Sequence, residues 1–135
     1  MKGLACLTFA LFLAPAAAQV LIVNESTAVA ELTRNEARLY VTMRLKQWPD
    51  GTQVRLFVLP DDHDLHQRFV NVVLGLYPYQ LRRVWDRQIF TGTGQAPTRV
   101  SSEDEMIQRV ASTPGAIGYI ESSEPSLGVR AVQIH

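Results

Sequence analysis

Cysteine is nearly absent from this sequence: Cys6 is the only one in 135 residues. It lies inside an apolar run, Leu4 to Leu13, that continues past it. A lipid-attachment cysteine follows such a run, so Cys6 reads as apolar filler. The rest of the chain therefore has no disulfide, no thiol nucleophile and no thiolate metal ligand. An excess of either charge is lacking as well. Thirteen basic residues face 13 acidic ones, which argues against a nucleic-acid or anionic-membrane partner. There is no GxSxG elbow and no phosphate-cradling P-loop. Thr91-Gly92-Thr93-Gly94 lacks the third glycine and the strand-then-helix setting of a dinucleotide motif, so it reads as a flexible turn. No feature gathers two carboxylates around a buried substrate. The expectation is a protein without catalytic residues and without a cofactor.

What the sequence does have begins at its N-terminus. Met1-Lys2 gives a positive start, Leu4 to Leu13 is apolar, and Pro15-Ala16-Ala17-Ala18 offers small residues for cleavage. Residues 1–18 read as a secretory signal peptide cut between Ala18 and Gln19. The alternative, a membrane anchor, needs about 20 apolar residues, more than the run supplies. Loss of Lys2 leaves 12 basic residues against 13 acidic, a net charge of −1. Residues 19–135 are enough for one domain and hardly two. Their expected compartment is the periplasm, reached by export.

Element signals follow in order. Val20-Leu21-Ile22-Val23 is a short apolar strand. Thr33-Arg34-Asn35-Glu36 is a capping box opening a helix to about Arg44, with Ala37, Tyr40 and Val41 inward. Trp48-Pro49-Asp50-Gly51 is a turn, and Trp48 covers the core edge there. Val54 to Leu59 is nearly all apolar, as a strand covered on both faces is. After Pro60 and an acidic turn, Leu65, Phe69, Val72, Val73 and Leu76 mark one helix face, ended by Gly75-Leu76. Pro78 suits the first turn of another helix, with Leu81, Val84, Trp85 and Ile89 on one face; Arg82, Arg83 and Arg87 point away and could bind an anion, but a solvated face is the simpler reading. Ser102-Glu103-Asp104-Glu105 is a second capping box, with Met106, Ile107, Val110 and Ala111 as the buried stripe. Pro114-Gly115 turns into the strand Ala116 to Ile120. A polar loop, Glu121 to Ser126, leads to a last strand near Val129 to Ile134. The order β-α-β-α-α-α-β-β implies an α/β fold with a mixed, largely parallel sheet and helices on its faces.

The strand, acidic turn and helix from Val54 to Leu76 hold the best chemical candidates. Unpaired N–H groups at a helix start suit a small anion. His63 and His66, three apart, can face one side of the first turn and with an Asp could ligate a divalent ion. The simpler reading is that Asp61, Asp62 and Asp64 complement the helix dipole and that the histidines are exposed polar groups.

One family resemblance emerges. Trp85-Asp86-Arg87-Gln88-Ile89-Phe90-Thr91-Gly92, then Pro97, then Val110 through Pro114-Gly115-Ala116-Ile117-Gly118-Tyr119-Ile120, resembles the small phosphate ABC transporter substrate-binding proteins of the type II periplasmic-binding-protein superfamily. The Leu32-Thr33-Arg34 start, the Trp48 turn and the Phe69 helix fit the same pattern, so the likeness runs from about Val20 to Ile120. Read from the residues alone, Gly118 permits a close backbone approach. The resemblance implies a single α/β lobe that binds a small oxyanion such as phosphate, does no catalysis and serves a membrane transporter. Two departures stand beside it. The family has two lobes, and this chain supplies about one. The family's Arg and Ser-Gly-Thr ligands are replaced here by Asp61-Asp62-His63-Asp64-Leu65, whose carboxylates repel phosphate. What remains locally positive is His63, His66 and Arg68, the expected ligand-binding residues. The alternatives are a degenerate lobe acting as an envelope interaction module, and a metal-binding periplasmic protein.

Overall fold

A computed structural model describes residues 3, 19–92, 95–121 and 127–135. The leader expected over 1–18 lies outside the described residues except for Gly3, as do Thr93-Gly94 and most of the polar loop after Glu121.

Six strands form one mixed sheet: β1 (Val20–Asn24), β2 (Glu31–Leu32), β3 (Arg55–Val58), β4 (Thr98–Arg99), β5 (Ala116–Ile120) and β6 (Val129–Ile134), in the order β2-β6-β1-β5-β3-β4. β1 is antiparallel to both its neighbours, β5 and β6, and the other pairings are parallel. Five strands thus run one way and β1 runs against them, which is the mixed, largely parallel sheet the element order implies. The two-residue edge strands β2 and β4 are additions to the expected list, because two residues carry no readable period.

The helices are α1 (Arg34–Val41), α2 (Asp64–Arg68), α3 (Pro78–Phe90) and α4 (Glu103–Ser112). α1 starts at the expected box: the Thr33 hydroxyl accepts from the Glu36 N–H, and the Glu36 carboxylate accepts from the Thr33 N–H. It stops at Val41, short of Arg44. The Thr42 hydroxyl donates back to the Arg38 carbonyl, and Met43 takes φ 63°. The Trp48 turn is present, and the buried Trp48 donates its indole N–H to the Gly115 carbonyl at 2.9 Å.

α2 runs directly into a π-helical segment, Phe69–Leu74, ended by Gly75 at φ 65°. The i→i+5 turn is wider than an α turn, so the inward face repeats every five residues. Leu65 and Val70, and Phe69 and Leu74, are buried. This corrects the α-helical register expected here: Val72 is 59% exposed rather than inward. In α3, Leu81 and Trp85 are buried as expected, but Ile89 is 41% exposed. The half-buried Gln88, not Ile89, ties that end down, donating to the Thr42 carbonyl at 2.6 Å.

α4 covers one face of the sheet. Its second box is only half formed. The Ser102 hydroxyl accepts from the Glu105 N–H, while the Glu105 carboxylate turns to Ser101. A Cβ on Gly118 would sit 2.5 Å from Met106 Sδ. Gly118 therefore admits side chains of α4, not another backbone as expected. On the opposite face Phe69 stacks on Tyr119, with ring centroids 4.2 Å apart. Among the described residues, no helix is long and apolar enough to cross a membrane.

Candidate functional site

In open α/β sheets, ligand crevices lie beyond the carboxyl ends of parallel strands. Here β3, β4 and β5 end together, and the acidic turn follows β3. Pro60 closes the strand, and the His63 N–H bonds back to the Pro60 carbonyl. His63 then caps α2: its Nδ1 accepts from the Leu65 N–H at 3.2 Å. One of the free helix N–H groups is thereby taken by a side chain rather than left for an anion.

His66 behaves differently from an exposed polar group. It is 1% exposed, under the end of β5, and its Nδ1 meets the Tyr119 hydroxyl. That hydroxyl also accepts from the Leu59 N–H at 2.8 Å. With the Leu59 N–H filling an acceptor position, the pairing that leaves the phenol's one proton satisfied donates it to His66 Nδ1. The neutral ring then carries its own proton on Nε2, which faces Asp61 Oδ1 at 3.7 Å. This tautomer suits a carboxylate neighbour. At 3.7 Å there is no hydrogen bond, and Nε2 is buried without a partner among the described residues. Burial lowers the His66 pKa below its ordinary 6.5. Asp61 opposes that shift, and the charges of His63, Arg82 and Arg99 add to it. Burial also raises the Tyr119 phenol, keeping it protonated.

Arg68 pairs with Glu121 at 2.8 Å. Of the three expected ligand residues, one caps a helix, one is buried and one is ion-paired. They surround the same strand ends but do not converge on a common point. The metal alternative gains no support, since among the described residues no group of three His, Cys, Asp or Glu side chains is placed to hold an ion.

Arg82, expected on a solvated face of α3, instead has a partner. It reaches from α3 to Asp61, placing Nε at 2.8 Å and Nη2 at 2.5 Å from Oδ2. This pair forms one wall of a pocket of about 180 Å³ whose other charged groups are Asp86 and Arg99, with Val58 and Trp85 against it. Arg99 makes no ion pair among the described residues. In sequence Arg82 belonged to an arginine-rich face without a visible partner, because Asp61 is 21 positions away. A larger groove, about 510 Å³, runs beside Val72, Val73 and β6. It is chiefly apolar, and its one cationic group, Arg34, donates to the Val72 carbonyl.

No family model and no curated protein sequence matches the chain. Its fold is shared by solved structures. A Clostridium perfringens protein with bound phosphate, assigned to the phosphate ABC transporter substrate-binding proteins, aligns with TM-score 0.70 and 18% identity. The alignment takes in 86% of this chain and 44% of that one. An ABC-type phosphate transport receptor from Vibrio cholerae aligns with TM-score 0.66 and 16% identity, over 86% and 45%. PstS from Borrelia burgdorferi gives 0.65 and 15%, over 87% and 47%. The chain spans less than half the length of these proteins. At such identity the likeness establishes a related binding-protein fold.

Proposed function

We propose that this protein is a non-catalytic, exported solute-binding-type lobe that takes a small oxyanion such as phosphate and works with a membrane transporter. The observation that carries the reading is the pocket beyond β3 and β4, with the Arg82 and Arg99 guanidinium groups in its wall. Guanidinium forks match oxyanions in charge and geometry, and proteins sharing the fold include one solved with bound phosphate. Of the expected residues, His66 meets the pocket wall through Asp61, while His63 and Arg68 do not line the pocket. The carboxylates of Asp61 and Asp86 weaken the attraction, so the expected affinity is modest.

The test is a thermal melt of the purified protein in millimolar phosphate against chloride at equal ionic strength. Binding raises Tm in proportion to RT ln(1 + [L]/Kd). The rise is expected in wild type and is lost in Arg99→Gln. An unchanged Tm at saturating phosphate rules the oxyanion reading out. The envelope interaction module is the second reading. It is favoured by Ile89, 41% exposed in the wall of the same pocket, and by the adjacent Phe90, 94% exposed.

A further inference from the structure

Resting on the oxyanion reading of this pocket, we propose that Asp61 is a built-in competitor for the site, held on Arg82 and transferred to His66 when an oxyanion takes the arginine.

Two observations converge on Asp61. Its Oδ2 takes both nearby donors of Arg82, at 2.8 and 2.5 Å. A carboxylate so placed fills the donor fork an incoming oxyanion would use. Its Oδ1 stands 3.7 Å from His66 Nε2, which is buried without a hydrogen-bond partner. Hydrogen bonds of this type form at about 2.7–3.2 Å, so a movement of about 0.5–1 Å brings Asp61 onto His66. A buried, unpaired donor is costly to leave unmet. The displaced carboxylate therefore has a waiting partner, and displacement becomes easier than the breaking of an ion pair into nothing. The receiving ring is held in place by Tyr119 on its other nitrogen and by Phe69 stacked on that tyrosine.

The charged groups around the transfer are consistent with it. His66 senses Asp61, His63, Arg82 and Arg99. An oxyanion bridging Arg82 and Arg99 offsets two of the cations that disfavour charge on His66. Asp61, once moved, becomes a closer acceptor for the Nε2 proton. Asp86 lines the same pocket and makes no ion pair among the described residues. It repels an oxyanion but blocks no donor.

That difference supplies the control. Phosphate affinity is measured by calorimetry at fixed ionic strength for wild type, Asp61→Asn and Asp86→Asn. Removing either carboxylate lowers repulsion, but only Asp61→Asn also releases Arg82. The Asp61→Asn gain is expected to reach about fivefold, the upper scale of one partly exposed ion pair, and to exceed the Asp86→Asn gain. In parallel, the His66 Nε2–H proton resonance is followed by NMR. It should move downfield when phosphate is added to wild type and stay in place in Asp61→Asn. Equal gains in the two variants, or a wild type that binds phosphate without moving the His66 signal, overturn the transfer and leave the oxyanion reading standing. No phosphate binding by any of the three overturns the oxyanion reading and the transfer with it. Binding by Asp61→Asn alone also overturns both, since in wild type no phosphate then displaces Asp61 from Arg82.

Discussion

His66 shows how much one side chain's surroundings decide. Three residues from His63 and flanked by aspartates, it reads from sequence as an exposed polar group or a ligand. Its neighbour Tyr119 is 53 positions away, so no local pattern could reveal that the ring is buried. The consequence is a pH dependence of known sign. Burial holds the folded His66 pKa below 6.5, with the Arg82, Arg99 and His63 charges acting the same way and Asp61 against. Below that ordinary value the unfolded chain binds a proton that the folded chain resists. Stability from this group is therefore full above about pH 6.5 and is lost as pH falls through the folded value. The lowered carboxyls of Glu36, Asp50 and Glu105 act in a more acidic range, below their ordinary 4.5 and 3.8. Urea denaturation as a function of pH should show a decline beginning near 6.5, and His66→Gln should flatten that segment alone. An identical decline in the variant would assign the effect elsewhere.

At the scale of elements, the sequence was a good guide wherever a signal was local. The Thr33 capping box, the Trp48 turn, Pro78 at a helix start and the long apolar strands all stand where their patterns put them. It failed where geometry departs from a regular period, as in the π segment that turns Val72 outward and Val70 inward. The junction of Pro114-Gly115 with β5 joins both kinds of information. Gly115 has φ 79°, and a Cβ there would lie 2.1 Å from the Gln53 carbonyl oxygen. Its own carbonyl accepts from both the Arg55 N–H and the Trp48 indole. Gly118, three residues on, has an ordinary backbone, and the clash it avoids is chiefly with the flexible Met106 thioether. Gly115→Ala should therefore cost about 3 kcal/mol, combining left-handed strain with a contact against fixed backbone. Gly118→Ala should cost about 1–2 kcal/mol, since Met106 can shift within its packing. Equilibrium unfolding of the two variants checks the order, and a larger loss at Gly118 would contradict it.

For the whole molecule, alternation of strands and helices was enough to give an α/β lobe with a mostly parallel sheet. It could not give the site, because Arg82 and Arg99 come from segments separate from the stretch that holds Asp61 and His66, and only the fold brings the three together. Two-lobed binders in general close around a ligand by hinge motion; this chain aligns with 44–47% of the three solved structures that share its fold. The described residues form one sheet with its helices, so a ligand on that body is expected to move side chains rather than lobes. Solution X-ray scattering tests that consequence directly. A compact chain of 135 residues has a radius of gyration of about 14 Å, and saturating phosphate should leave it unchanged. A particle of twice the mass that contracts when phosphate is added would mean that two copies assemble the cleft. In that case the arginine pocket beyond β3 and β4 would be half of the site, and the affinity gain at Asp61→Asn would depend on protein concentration.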